Sequence, residues 1–281
     1  MLFAVRLWCV GALVLAVGSV GVQGQQQDPK AEQIVKVAEQ TELDAAANDH
    51  SLWQYRDVDR KPFLGETVSR VVETAHGSVS KKVELNGRPL SPWELKEQDA
   101  KMESFVHDPI QQARQRKEGA QDDKRAEDML KLLPAAFLWS VKSEDAKTVT
   151  LAYVPDPKFE PPTMESKVFA AMAGEVVVDK QQHRIQTIKG TLVADVKFGW
   201  GLLGKLERGG TFDVERRELM PGVWQITESH VHVNGHALMF KSIGEQDDEV
   251  KSEFRSVPQE TTLEQAAFML RNQPASLDAQ R

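Results

Sequence analysis

The chain reads as an α+β protein: a curved antiparallel sheet or incomplete β-barrel covered by helices, with a helical insertion. Three observations predict it. Residues 174–244 form a run of short strand-like segments punctuated by glycines and turn pairs, with no long helix inside. A block rich in Val, Thr and aromatic residues at 51–85 supplies further strands. Between the two lies a polar, helix-forming stretch, 91–134.

Taken in order, the first 24 residues read as a secretory signal. Arg6 gives the positive n-region, Leu7 to Val20 the apolar h-region, and Val22-Gln23-Gly24 the small residues of a cleavage site, so the mature chain is expected to begin at Gln25. The apolar run is short for a spanning helix, with an uncleaved anchor the alternative. Cys9 is the only cysteine and lies inside the h-region. The mature protein is therefore expected to carry no lipidated N-terminal cysteine, no disulfide and no thiol chemistry.

Of the 281 residues, 41% are hydrophobic, enough for a sizeable core, and the formal charge of −7 argues against nucleic-acid binding, which needs clustered cations. Residues 25–271 are expected to form a single domain, and 272–281 a frayed tail.

Ala31 to Ala47 has Ile34, Val35, Ala38, Leu43 and Ala46 near one helical stripe. Strands are expected at Ser51 to Val58, with Trp53 and Tyr55 on one face, and at Thr67 to Thr74. A third strand carries Val79, Lys81, Val83 and Leu85 on its apolar face. Lys81 is the exception there, expected to reach water from a strand end. Asn86-Gly87 closes that strand with residues that accept positive φ.

Ser91-Pro92-Trp93-Glu94 combines an N-cap, an N1 proline and a capping box. The helix it starts is expected to end near Val106, with a second segment restarting at Asp108-Pro109. A third, Asp122 to Leu133, is expected to stop at Pro134. The mixed charges from Arg116 to Asp128 read as a solvated helical hairpin standing off the sheet, with a charged partner-binding face as the alternative.

Phe137, Trp139 and Val141 alternate as a strand, as do Val149, Leu151 and Tyr153. Four prolines between 155 and 162 force an extended crossing, and Thr163 caps a short helix expected to run to Ala173 with Gly174 as its C-cap. Glu175 to Asp179 and Arg184 to Lys189 read as a hairpin. Alternating strands follow around Phe198, Phe212 and Trp224. Asn234-Gly235 predicts a two-residue hairpin that sets Val231, Val233, Leu238 and Phe240 on one face, His230 and His232 on the other. After an acidic loop, Gln246 to Glu249, a last strand is expected around Lys251 to Phe254, then a helix capped by Thr261 or Thr262.

Several segments carry a resemblance. Tyr153-Val154-Pro155 precedes the proline-rich crossing, and Gly174-Glu175-Val176-Val177-Val178-Asp179 with Arg184-Ile185 follows it. Gly210-Thr211-Phe212-Asp213-Val214 and Gly222-Val223-Trp224 come next. Together with the element order these resemble the lipoprotein-carrier superfamily of the bacterial periplasm, which contains LolA, LolB and RseB. The resemblance implies an incomplete barrel, an apolar interior that accepts acyl chains, a periplasmic location, and a lipid or lipidated protein as partner. Two features depart from it: the missing lipidation cysteine of LolB-like members, and a helical insertion larger than a plain LolA-like carrier has.

Candidate chemistry is sparse. Gly199-Trp200-Gly201-Leu202-Leu203-Gly204 matches G-x-G-x-x-G but lacks the following helix of a dinucleotide site, so the glycines read as a sharp turn at a barrel rim. Glu228, His230 and His232 alternate and could share a metal only with a third ligand such as His183 or Asp195, so a solvated strand face is the simpler reading. No G-x-S-x-G elbow occurs, and His76-Gly77-Ser78 reads as a hairpin turn. No cofactor is expected.

The candidate ligand-binding residues, lining a cavity or its rim, are Trp53, Tyr55, Trp139, Tyr153, Phe198, Trp200, Leu202, Leu203, Trp224 and Phe240. Core filling is the alternative for each strand aromatic. Trp200, Leu202 and Leu203 would touch ligand or membrane surface if exposed. The expectation is an exported, non-catalytic binding protein with at most peripheral membrane contact. An RseB-like sensor using its helical insertion on a protein partner, or a metal-dependent enzyme, are the alternatives.

Overall fold

The structure, a computed structural model, describes residues 27–62, 64–198, 204–237 and 246–273. The segment expected to be a signal lies outside them. Helix α1 (Pro29–Asn48) leads into strands β1 (Leu52–Lys61), β2 (Gly65–Thr74), β3 (Gly77–Leu85) and the two-residue β4 (Arg88–Pro89). Helices α2 (Pro92–Val106) and α3 (Pro109–Ala136) follow, then β5 (Phe137–Glu144), β6 (Thr148–Pro155), α4 (Met164–Phe169), β7 (Met172–Asp179) and β8 (Ile185–Leu192). The rest is β9 (Val196–Phe198), β10 (Gly204–Leu206), β11 (Thr211–Met220), β12 (Val223–His232), β13 (Gly235–Ala237), β14 (Gln246–Val257) and α5 (Leu263–Asn272).

Eleven strands form one antiparallel sheet in the order β4-β3-β2-β1-β14-β12-β11-β8-β7-β6-β5. It is curved and does not close: β4 and β5 are its two edges. The expected α+β architecture is the one observed. The β5 edge is blunted by the segment that leads into α1. Trp139 N–H donates to Gln27 Oε1 at 2.7 Å, Asp28 N–H donates to the Trp139 carbonyl at 2.9 Å, and the Asp28 carboxylate caps α1 through Lys30 N–H.

Register carried across the sheet, Val176 to Ile188 to Val214 to Ser229 to Glu249 to Asp59, places Val176 on the same face as Tyr55 and Val71, and opposite Val72. Helices therefore clad both faces, at opposite ends. On one face α1 and the end of α3 bury Ala31, Val35, Ala38, Leu133 and Ala136 against Phe137, Trp139, Leu151, Tyr153 and Val176. On the other, α2 and α5 bury Met102, Val106, Ala266 and Leu270 against Val72, Val79 and Val257. The charged stretch 116–128 is solvated as expected, but it lies within one helix rather than a hairpin, and the insertion as a whole does not stand off the sheet, because α2 is part of this second core.

Four local expectations change, each for a physical reason. Residues 109–136 form one helix that runs through Pro134; a proline this close to the end forfeits a single ladder bond, and Leu133 and Ala136 are buried against the core. Helix α4 ends at Phe169, and Gly174 lies inside β7 opposite Gly190. A Cβ on Gly174 would collide with the Lys189 carbonyl, and one on Gly190 would stand 2.5 Å from the Tyr153 hydroxyl, so Gly174 lets the β8 backbone approach closely and Gly190 makes room for Tyr153. Asn234-Gly235 does not close a hairpin, since both edges of β12 are taken by β11 and β14; β13 pairs with β10 in a three-stranded sheet of its own. The acidic run 246–249 is the start of the twelve-residue β14, near the sheet centre. Asn86-Gly87 behaves as expected, both with positive φ.

Candidate functional site

The face that carries α1 is apolar at the α1 end and only partly covered beyond it. Phe212 and Ile188 pack against the buried core, and Val214 and Val231 continue that surface half-buried across β11 and β12. Past an intervening polar band, β1 and β14 add an aromatic group. Phe254 stacks tilted on Tyr55 at 5.4 Å and meets Trp53 edge-on at 6.0 Å, with Lys251 Nζ 5.6 Å from the Tyr55 ring centre. Phe254 reaches Tyr55 because β14 carries a bulge there, with Glu253 at φ 58°. The periodicity of 251–254 showed a strand but could not show that bulge.

The band between them is acidic. Asp57, Asp59, Asp247 and Glu249 share this face, offset by Lys61 and Lys251. Burial, and then the neighbouring Glu249, pushes the Asp57 carboxyl up to about 6; burial likewise raises Asp247 and Glu73. Lys61 Nζ holds Asp59 at 2.9 Å and Asp247 at 3.6 Å. Tyr55 is held far above the usual phenol range by burial and by Glu73, so it stays a neutral donor.

The predicted aromatics divide. Trp139 and Tyr153 are core: with Phe137 and Phe169 they form one packed cluster, centroids 4.6 to 5.9 Å apart. The Tyr153 hydroxyl donates to the Lys189 carbonyl at 2.9 Å. Trp224 is buried and its indole N–H donates to Gln182 Oε1 at 2.9 Å. On the part-covered face Trp53, itself buried, and Tyr55 are brought together through Phe254. Phe198 ends β9, its side chain outside the described residues, as are Trp200, Leu202, Leu203 and Phe240. Gly204 opens β10, and the elements that follow it are strands rather than the helix a dinucleotide site requires.

The histidines belong to the opposite face. His230 Nδ1 and His232 Nε2 lie 2.7 and 2.9 Å from the same oxygen of Asp248, which stands directly across from His230 on β14. They bracket a carboxylate at hydrogen-bond length instead of converging on a point about 2 Å away, as zinc ligands would. Neither is joined by His183 or Asp195, and among the described residues no group of three or more His, Cys, Asp or Glu is arranged to hold a metal. Hydrogen bonding to Asp248 raises the His230 pKa above its ordinary value. The expected bland strand face is thus a charged ladder.

No protein-family model matches the chain, and no curated protein does. Two solved structures are similar to it. One is a LolA-superfamily protein from Nitrosomonas europaea, 12% identical, with 82% of this chain and 96% of that one covered at a TM-score of 0.26. The other is a domain described as that of an outer membrane lipoprotein-sorting protein from Vibrio parahaemolyticus, 10% identical, with 85% and 100% covered at a TM-score of 0.31. These are likenesses of fold alone; the function rests on the chain's own residues. Among the described residues no helix is long and apolar enough to cross a membrane.

Proposed function

We propose that the chain is an exported, non-catalytic binding protein that holds an acyl chain, or a lipidated partner, against the sheet face carrying α1. The observation that supports this reading most is the incomplete cover of that face by the described residues. Phe212, Val214 and Val231 on one flank and Tyr55 and Phe254 on the other stay half-buried within central strands, where a sheet packed for stability alone would be closed over. An apolar chain laid from β11 towards β1 would bury those side chains at about 25 cal/mol per Å². The acidic band crossed on the way suits a ligand with a polar or amine-bearing portion, which Asp57 and Glu249 would meet.

The reading is tested by extracting the purified protein with organic solvent and analysing the extract by mass spectrometry. Stoichiometric acyl lipid supports it. A lipid-free extract, together with no uptake when detergent-dispersed fatty acid is offered, sinks it.

The alternative, a protein-binding role for the charged helix, gains less. Arg114 pairs with Glu118, Arg125 with Asp122, Lys124 with Asp128 and Lys131 with Glu127, all within α3. The charges there satisfy one another on a solvated face.

A further inference from the structure

The cleft on the opposite face, between α2, α5 and strands β2 and β3, is built differently. Arg70 and Lys81 stand directly opposite each other in the β2–β3 ladder, and each is only 7% exposed. Like charges placed directly across a ladder repel, and burial deepens the cost. Lys81 was expected to reach water from a strand end; it sits mid-strand, and its ammonium lies 2.7 Å from Asp99 of α2. Arg70 reaches Glu253 at 2.5 Å through one terminal nitrogen, while its buried Nε has no hydrogen-bond partner.

These two cations open into a cavity of about 330 Å³ that Lys96 and Arg271 also line. Among the described residues Asp99 is the single acid in its wall, against four cations. Glu253 and Glu103, which pair with Arg70 and Arg271, are not part of the lining, and Lys96 makes no ion pair among the described residues. Leu95 and Leu270 complete an apolar side. Trp93, next to Pro92 of the wall, is 69% exposed at the start of α2. A buried donor without an acceptor, a surplus of cations and an empty volume of small-ligand size all ask for an anion.

We propose that this cleft binds a phosphate group, with the Arg70 and Lys81 pair at its floor and Lys96 and Arg271 at its mouth. The phosphate can be free or carried on an anionic phospholipid head group, whose glycerol end would then lie along Leu95 and Leu270 with Trp93 at the lipid boundary. The inference concerns a different face and a different ligand chemistry from the acyl site, and stands or falls separately.

The test titrates the full mature chain with inorganic phosphate by calorimetry, and measures its flotation with vesicles of phosphatidylglycerol against phosphatidylcholine. Saturable binding of either probe is expected, phosphate alone pointing to a soluble ligand and phosphatidylglycerol alone to a head group. Lys96→Gln, at an exposed site without an ion pair, should weaken binding about tenfold while leaving the fold intact. The charge-matched pair Lys81→Met with Asp99→Asn should abolish it. Absence of saturable binding to both probes, or equal affinity in Lys96→Gln and the parent, overturns the proposal.

Discussion

Glu42 of α1 accepts a two-pronged hydrogen bond from Arg184, Nε to Oε1 at 3.1 Å and Nη2 to Oε2 at 3.0 Å, across 142 residues of chain. Ile185 N–H donates to the same carboxylate at 2.7 Å and Arg216 lies 2.6 Å away. Glu42 continues the buried stripe Ala31, Val35, Ala38, so the helix ends its apolar face on a buried ion cluster that locks it to β8 and β11. Burial by itself would push the Glu42 carboxyl up, but the two arginines and the Ile185 amide outweigh it and hold the group below the usual carboxylate range.

Glu42→Gln should therefore destabilise the protein by about 3 kcal/mol, because it leaves the buried Arg184 and the half-buried Arg216 guanidinium groups short of their counter-charge. Denaturant unfolding measures the loss, and hydrogen exchange should show α1 opening first. The parent's stability contribution from Glu42 is present above the unfolded carboxyl pKa and is lost as pH falls through the depressed folded value. A variant as stable as the parent at pH 7 would contradict the locking role.

Asp57 behaves in the opposite sense. Its folded pKa is raised to about 6 by burial and Glu249, so the folded state is penalised at neutral pH, and the penalty fades as pH falls through that value. Asp57→Asn should stabilise the protein at pH 7.5 by on the order of 1 kcal/mol, allowing for partial exposure, and by nothing near pH 4. Thermal melts across that range decide it; an effect independent of pH would exclude the titration of Asp57 as the cause.

Gly190 and Tyr153 should show coupling. Gly190→Ala sets a methyl 2.5 Å from the Tyr153 hydroxyl and should cost about 1–3 kcal/mol. Tyr153→Phe removes the obstructing oxygen, at the loss of its bond to the Lys189 carbonyl. The double variant should be more stable than the two single effects sum to, which a double-mutant cycle reads directly. Strict additivity would show that the close approach is relaxed elsewhere.

The sequence carried the elements better than their assembly. Caps and turn chemistry are local, so Ser91 with Glu94, Thr163 and Thr262 mark helix starts where the structure has them. Asn234-Gly235 and Gly174 misled because their roles are set by neighbours distant in sequence: the two occupied edges of β12 in one case, the Lys189 and Gly190 backbone of β8 in the other. Trp53 and Tyr55 were legible as one face of a strand. Their partner Phe254 was hidden by a bulge, and the Arg70–Lys81 juxtaposition by a register that no single strand reveals. Lys81 stood out as a misplaced cation, but its role depends on Asp99, 18 residues further along the chain on a helix whose docking the sequence did not show.

On the proposed function, the part-covered face around Phe254, Tyr55, Val214 and Val231 takes an acyl chain. The most direct measurement is titration of delipidated protein with a fluorescent long-chain fatty acid, comparing the parent with Phe254→Asp and Val214→Asp, and with Phe268→Asp on exposed α5 as control. Saturable binding at one site is expected, weakened at least about tenfold by a charge at either face position and unchanged by the control. Binding that is absent from the parent, or equally strong in all four proteins while each remains folded, would contradict it.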